Sequence, residues 1–355
     1  MGTRPEIIKL SPIIREYERR GLNYFILHTG QHYSFKMDQV FFDELSLPQP
    51  KYNLDVGSGT DTEQTGRIMI GIGKILMNES LDVVLVQGDT NTTQAGALAA
   101  RKSKIKTAHV EAGLRSFDKS MPEEINRIVV DHVSEYLFAP TNKSKENLCR
   151  EGINKDSIFV TGNTIVDAIY HSLELTRSKN NIFRFLSIKQ NKYFLLTLHR
   201  QENVDKKERL RNILESLELI YQEFCFPLVF PMHPRTKKRI KEFGLVLPRG
   251  VMAIDPIDFL QFLQLETNAR VVLTDSGGVQ EETCTLRIPC VTLRSSTERP
   301  ETLEAGSNIL AGIEPTKVME AVRKMDSKTR KWENPFGEGF AAEKIVRLLL
   351  ELEVR

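Results

Sequence analysis

The sequence predicts an α/β fold of two domains built on parallel sheets, and three observations carry that expectation. Short apolar runs rich in β-branched residues alternate with longer segments of helical period. At 355 residues the chain exceeds one ordinary hydrophobic core and suits two domains with a cleft between them. Proton-handling side chains gather at the ends of the apolar runs, which suggests an enzyme.

Taken in order, GTRPEIIKL reads as a strand-to-helix loop and helix start, yet only Met1 precedes it. The strand that should feed this loop is absent, so the natural chain is expected to begin upstream of Met1. The following helix places Ile7, Leu10, Ile13 and Ile14 on one face. YFILHTG, DVVLVQGD, TAHVEAG, YLFAPT and IFVTGN supply the strands of a first domain, residues 1–168. Around 168 to 192 the pattern lapses into SLELTRSKNNIFRFLSIKQNK, and the domain boundary is placed there. YFLLTLH, FPLVFPMH, VMAIDP, VVLTDSGG and CVTLRSS build a second domain, residues 169–337, with a helix presenting Leu210, Ile213, Leu214, Leu217 and Ile220. The tail ends in a helix over about 338–355 that can pack back on the first domain, which makes NPFGEG a crossing point.

Composition narrows the setting. Hydrophobic residues make up 40% and charged residues 27% of the chain, and the formal charge is +2, which gives no reason to invoke nucleic acid. Cys149, Cys225, Cys284 and Cys290 lack metal-type spacing and read as reduced structural thiols. No apolar run reaches the roughly eighteen residues needed to span a bilayer, and no export signal opens the chain. A soluble cytoplasmic protein without a membrane partner is expected.

The chemistry concentrates in a few segments. HVEAGLRSFDKSMPEEINR holds Glu111, Asp118, Glu123 and Glu124 between a strand and a helix, QGDTNTT adds Asp89, and TLHRQEN adds His199 and Glu202. VVLTDSGGVQEET is a strand, a Ser-Gly-Gly turn and a helix. There Gly277 and Gly278 admit an anion close to the backbone, Ser276 offers a hydroxyl, and Glu281 or Glu282 can take a ribose diol. Asp275 either caps that helix or touches ligand. Arg4 and Lys9 beside the first helix start also suit a diphosphate. FPMHPRTKKR contributes His233 and Arg235, while Lys237, Lys238 and Arg239 read as a solvated face. The absence of a Walker A pattern, of GxGxxG after a first strand and of HExxH removes support for ATP hydrolysis, nicotinamide chemistry and zincin chemistry. No metal and no cofactor is expected.

GTRPE, TGQHY, QGDTNTT, HVEAGLRS, MPEEINR, LHRQEN, TDSGGVQEE and TERPET, in this order, closely resemble the non-hydrolysing UDP-N-acetylglucosamine 2-epimerases over almost the whole chain. The resemblance implies two Rossmann-like domains of GT-B type. It also implies interconversion of UDP-GlcNAc and UDP-ManNAc by anti elimination of UDP through a 2-acetamidoglucal, then re-addition. By the same resemblance Asp89, Glu111 and Glu123 are the catalytic carboxylates and His199 the catalytic histidine. Arg4, Lys9, His233, Ser276, Gly277, Gly278 and Glu282 fall at positions that contact UDP and its ribose. Gln31, His32 and Arg200 match positions that bind a second, activating UDP-GlcNAc in bacterial members, although Tyr33 and Gln201 stand where that pattern has arginine. A homodimer is implied by the family alone. Asp118 and Glu124 read as a solvated charge and a helix-start acid, and His109 and His132 as structural. A GT-B glycosyltransferase, a hydrolysing epimerase and a silent sugar-nucleotide sensor are the rival functions.

Overall fold

Residues 1–31, 35–176 and 182–353 are described by the structure, a computed structural model, with residues 35–38 and 353 given by their backbone alone. They divide into unit 1, Met1–Tyr170 with Phe336–Arg355, and unit 2, His171–Pro335.

Unit 1 opens with α1 (Arg4–Arg20), which carries Pro5 in its first turn, where a missing N–H costs nothing, and stops at Gly21 in the left-handed conformation. The chain continues through β1 (Leu27–His28), α2 (Phe35–Glu44), β2 (Tyr52–Asn53), α3 (Asp61–Leu76), β3 (Val83–Gln87) and α4 (Asn91–Lys102). It then runs through β4 (Lys106–Val110), α5 (Pro122–Val133), β5 (Tyr136–Ala139), α6 (Asn142–Arg150), β6 (Ile158–Val160) and α7 (Thr164–Thr176). Strands β3 to β6 form one parallel sheet in chain order, and β1 and β2 form a separate parallel pair. Met1 and Gly2 run beside β1: the terminal ammonium donates to the Leu27 carbonyl at 3.0 Å, and Thr29 and Gln31 donate back to Met1 and Gly2.

The expected apolar face of α1 is buried, but every residue from Glu6 to Ile14 is buried, Lys9 and Ser11 included. A helix sunk this deep must satisfy its polar side chains inside the protein, and Lys9 does so at the site described below. The lapse expected from residue 168 starts later. Ile165, Ile169 and Ser172 continue one buried stripe along α7, so the helix persists to Thr176.

Unit 2 contains α8 (Ile182–Leu186), β7 (Phe194–Thr197), α9 (Gln201–Val204), α10 (Lys207–Phe224), β8 (Leu228–Pro231), α11 (Pro234–Glu242) and β9 (Val251–Ile254). It continues with α12 (Phe259–Thr267), β10 (Val272–Thr274), α13 (Gly277–Leu286), β11 (Cys290–Thr292), α14 (Pro300–Glu304), β12 (Asn308–Leu310) and α15 (Pro315–Asp326). The six strands are parallel in the order β12-β11-β10-β7-β8-β9. Alternate residues of β7 face opposite layers. Phe194 and Leu196 join a core with Leu210, Ile213, Leu214, Leu217 and Ile220 of α10, whereas Tyr193 and Leu195 join the layer of α8 and α12. Successive strands depart in opposite directions from the neighbours β7 and β10. That reversal opens a crevice at their carboxyl ends, where such sheets take ligands.

After unit 2 the chain returns to unit 1, and α16 (Ala341–Glu353) packs against α1. The return is fixed by Asp167, whose carboxylate accepts from the Ala341 and Ala342 amides at 3.2 and 2.9 Å.

Candidate active site

At the reversal point of unit 2, Thr197 ends β7 opposite Thr274 of β10, and their hydroxyls lie 2.6 Å apart. The next residues along each strand are therefore neighbours. Asp275 is wholly buried, and its carboxylate accepts from the backbone N–H groups of His199 and Arg200 and from the Asn203 amide. It also lies 3.3 Å from His199 Nδ1. Burial alone would raise the Asp275 carboxyl, but the His199 hydrogen bond and charge and the two amides hold it below the usual range. Asp275 thus does not cap α13, because donors from the segment that follows β7 take both of its oxygens.

His199 itself is exposed and lies 6.1 Å, ring to ring, from His233, which follows β8. His233 caps α11 by accepting from the Arg235 amide at 3.2 Å. Burial, then the nearby His199 and Arg235, keep the His233 imidazole below its ordinary value, so it is neutral at pH 7. The strand-end histidines separated in sequence are brought together. Arg235 instead pairs with Asp205, as does Arg239, so Arg239 is not simply solvated.

Ser276 precedes α13 and makes no side-chain capping bond there, which leaves the first-turn amides of Gly277 and Gly278 without a side-chain acceptor from their cap. A Cβ at Gly277 would lie 3.8 Å from Glu298 Oε2 and 4.0 Å from Arg299 Cζ, and one at Gly278 would lie 3.7 Å from Glu282 Oε1. The TERPET segment therefore faces this turn, a role that the sequence left unassigned. Arg294 holds Glu298 by two bonds of 2.8 and 3.0 Å and reaches Glu202 at 3.0 Å. Burial opposes ionisation of Glu298, but Arg294, Arg299 and Arg200 outweigh it and hold the carboxyl far below its usual range. Arg299 in turn pairs with Glu281, and Glu282 is the glutamate beside the Gly278 position. At the ends of β8 and β9 a hollow of about 570 Å³ is lined by Met232, Ile254, Asp255, Pro256 and Ile257 together with Ile182 and Leu186 of α8.

In unit 1, β3 and β4 end level at Gln87 and Val110. Glu111, the first residue past β4, adopts φ +72°, a left-handed conformation that costs a non-glycine residue energy and re-aims its side chain. Lys9 Nζ lies 2.8 and 2.7 Å from the two Glu111 oxygens, and Gln87 also donates to Glu111. Asp89 follows β3 and is gripped by Arg127 through Nε at 2.9 Å and the terminal nitrogen at 2.8 Å, while Asn126 holds its carbonyl. Glu123 stands half-buried in the first turn of α5.

Glu124, expected as a solvated or helix-start acid, is buried. Its carboxylate accepts from the Ser116 and Phe117 amides and from Arg127, because the preceding loop folds back over the helix start. Asp118 stays exposed and binds Ser120. His109 has no exposed surface; its Nδ1 lies 2.7 Å from Asp131 and its Nε2 donates to the Gly88 carbonyl at 2.8 Å. It thereby ties the Asp89 turn to the strand that carries Glu111. His132 donates to the Ile128 carbonyl of its own helix.

Arg4 lies over the Phe41 ring at 5.1 Å. Gln31 spends its amide oxygen on the Thr92 amide and hydroxyl, His32 lies outside the described residues, and Arg200 borders Glu298. Sequence reasoning missed Gln87, Asn126, Arg127, Arg294, Glu298 and Arg299. Of these, Gln87 opens the quoted QGDTNTT segment, Asn126 and Arg127 close MPEEINR, and Glu298 and Arg299 lie within TERPET, so the motifs held them without showing what each one touches. Among the described residues no group of three or more histidines, cysteines, aspartates or glutamates could hold a metal, and no helix is long and apolar enough to cross a membrane.

A Rossmann-like unit with an uncapped Gly-Gly helix start at its reversal point, in one chain with a second α/β unit bearing anchored strand-end acids, defines a nucleotide-dependent, proton-transferring class of enzyme. The chain belongs to the UDP-N-acetylglucosamine 2-epimerase family of isomerases, whose model matches residues 15–350. It is 56% identical over 355 residues to the UDP-N-acetylglucosamine 2-epimerase of Methanocaldococcus jannaschii, covering 98% of this chain and 97% of that one. A crystal structure of the M. jannaschii enzyme in complex with UDP-GlcNAc and UDP superposes with a TM-score of 0.92 over 99% of this chain and 98% of that one, at 56% identity. A UDP-2,3-diacetamido-2,3-dideoxy-D-glucuronate 2-epimerase of Pseudomonas aeruginosa is 40% identical, with 99% and 98% of the two chains covered.

Proposed function

We propose that this protein epimerises UDP-N-acetylglucosamine at C2, giving UDP-N-acetylmannosamine in the cytoplasm for surface polysaccharide or glycan synthesis. The observation that carries this reading is the uncapped start of α13 at the reversal point of unit 2, bordered by His199, His233 and Glu282. Amide N–H groups and a helix N-terminus suit a diphosphate. Glu282, beside Gly278, suits a ribose diol, and the hollow past β8 and β9 suits the base.

The reaction begins with a carboxylate taking the C2 proton while the C1–O bond breaks and its electron pair leaves on the β-phosphate of UDP, forming the C1=C2 bond of a 2-acetamidoglucal. UDP oxygen then attacks C1 again, and a second group returns a proton to the opposite face of C2. Asp89, Glu111 and Glu123 supply the proton-handling carboxylates. Arg127 holds Asp89 in one orientation with its carboxylate still partly open to solvent, as a group meeting substrate requires. His199, fixed by Asp275, and the α13 amides stabilise the charge that develops on the leaving diphosphate, joined by Arg4, His233 and Ser276. Lys9 is better placed to hold Glu111 than to meet phosphate. We further propose that the enzyme works as a homodimer, for which light scattering in solution is the direct test.

Incubation with UDP-GlcNAc in D2O, followed by NMR, tests the proposal. Epimerisation gives deuterium at C2 and UDP-ManNAc with little free UDP. Stoichiometric free sugar and UDP would mark a hydrolase, and no exchange at all would refute the enzyme reading. A parallel incubation with UDP-2,3-diacetamido-2,3-dideoxy-D-glucuronate decides between the substrates named for the two relatives; faster exchange there would replace the GlcNAc reading.

A further inference from the structure

Helix α9 has four residues and no side-chain cap, so its place depends on what its side chains reach. Glu202 accepts from Arg294 at 3.0 Å, and Asn203, which has no exposed surface, donates to the Leu293 carbonyl at 2.9 Å. Leu293 follows β11 and donates its own amide to the Thr274 carbonyl at the end of β10. The segment that carries His199 is thereby tied to the ends of β10 and β11.

Four hydrogen bonds hold the Asn203 side chain. Its second amide hydrogen goes to Asp275 Oδ2 at 3.3 Å, and its carbonyl accepts from Arg209, in the first turn of α10, through Nη2 at 2.9 Å and Nε at 3.3 Å. A guanidinium only donates, whereas a carbonyl and a carboxylate only accept. One orientation of the amide therefore satisfies every partner, and the flipped one would oppose like groups on both sides.

The two Asp275 oxygens then have different tasks. The His199 amide straddles both at 3.1 Å, but Oδ2 is also tethered by the Arg200 amide at 2.9 Å and by Asn203, while Oδ1 lies 3.3 Å from His199 Nδ1. A carboxylate turns easily about its last torsion, so donors on one oxygen decide where the other points. An arginine or lysine at 203 would grip Asp275 harder and draw its charge away from the imidazole. A neutral amide holds the carboxylate and leaves that charge for His199.

We infer that Asn203 is a positioning residue of the reaction: acting through Asp275, it fixes the His199 imidazole in the orientation that meets the leaving diphosphate, with Arg209 as its anchor. This rests on the reading of His199 as the histidine that stabilises the departing UDP. With no exposed surface, Asn203 cannot meet substrate itself.

Initial rates of deuterium exchange at C2 of UDP-GlcNAc, measured on the full chain, test the inference. Asn203→Asp keeps the shape and the Arg209 contact but replaces the donor to Asp275 with an oxygen. Its kcat should fall by about 10²-fold with KM within about threefold, because the contact impaired is one made to charge that develops in the transition state. Asn203→Ala removes the tether without adding charge and should lose about tenfold in kcat. If Asn203→Asp fails to fold, Asn203→Ala decides. In a His199→Ala background each substitution should cost less than about twofold more, because the group it positions is gone. Undiminished losses there, or wild-type kcat in Asn203→Ala, would overturn the role. Failure of wild type to exchange at all would instead refute the epimerase reading, and NMR of the imidazole C–H resonances then decides the inference. The His199 signals, assigned through His199→Ala, should move in Asn203→Ala toward their positions in Asp275→Asn; signals coincident with those of wild type would overturn it.

Discussion

Lys9 and Glu111 form a buried salt bridge across unit 1, with the ammonium 2.8 and 2.7 Å from the two carboxylate oxygens and both side chains less than a tenth exposed. Residues from the first helix and from the turn past β4 are thereby locked together 102 positions apart in sequence. Burial makes the pair demanding, since removing one partner strands the other charge in a low-dielectric interior.

Lys9→Met should therefore destabilise the protein by about 3 kcal/mol and reduce turnover by orders of magnitude. The double variant Lys9→Met/Glu111→Gln should recover most of the stability and none of the turnover, because no unpaired charge remains but the carboxylate is gone. Urea unfolding and deuterium exchange at C2 read the two effects. Additive stability losses would show that the bridge is not the relevant contact.

Asp275→Asn keeps the volume of the side chain but offers one carbonyl in place of two anionic oxygens. His199, no longer faced by an anion, should lose its orientation, and turnover should fall by roughly 10²-fold or more. The wild-type Asp275 carboxyl lies below the usual range, so its stabilisation is present above the unfolded value and lost as pH falls through the folded one. Melting temperature should thus drop less between pH 7 and pH 3 in Asp275→Asn than in wild type.

His233 should titrate below its ordinary value, and the midpoint should rise in His199→Ala, because one of the causes of the depression is removed. Since a lowered imidazole favours the neutral folded state, the associated stability is present above the ordinary value and lost on acidification through the folded one. Proton NMR of the imidazole C–H resonances follows both proteins. An unchanged midpoint in His199→Ala would mean that the two rings do not interact.

Two glycines should respond oppositely. Gly113 has φ +82°, and an added Cβ would sit 2.3 Å from the Ser144 carbonyl oxygen, so Gly113→Ala should cost at least about 3 kcal/mol of stability. Gly278 has ordinary φ, and its added Cβ would meet Glu282 Oε1 at 3.7 Å, a normal contact. Gly278→Ala should fold as wild type and bind UDP more weakly, since the methyl group occupies the approach to the backbone amides. Thermal melts with and without UDP separate the two cases.

What the sequence made legible follows from the range of the interactions. Strand ends and the Ser-Gly-Gly turn are local patterns, so His199, Ser276, Gly277 and Gly278 could be placed at strand or helix ends from the residues alone. The partners that hold them come from elsewhere in the chain. Asp275 reads in sequence equally as a cap for the helix beside it or as a ligand contact, yet its oxygens are taken by amides 75 and 76 positions away in sequence. Glu124 looked like an exposed helix-start acid until the folded-back loop covered it. Nothing near Lys9 in sequence announces its bridge to Glu111. In each case a short polar side chain was read against its neighbours in sequence, while its energy is decided by its neighbours in space.

The chain leaves unit 1 near Tyr170 and returns at Phe336, so the helix that packs against α1 is synthesised only after the whole of unit 2. A ribosome must translate the 165 residues from His171 to Pro335 first, an interval of roughly 8 to 33 seconds at ordinary elongation rates. During that time the nascent first unit lacks one of its walls, and a chaperone holding the emerging chain would find the α1 surface open. A stop codon shortly before residue 336 would release a whole second unit attached to an unclosed first one.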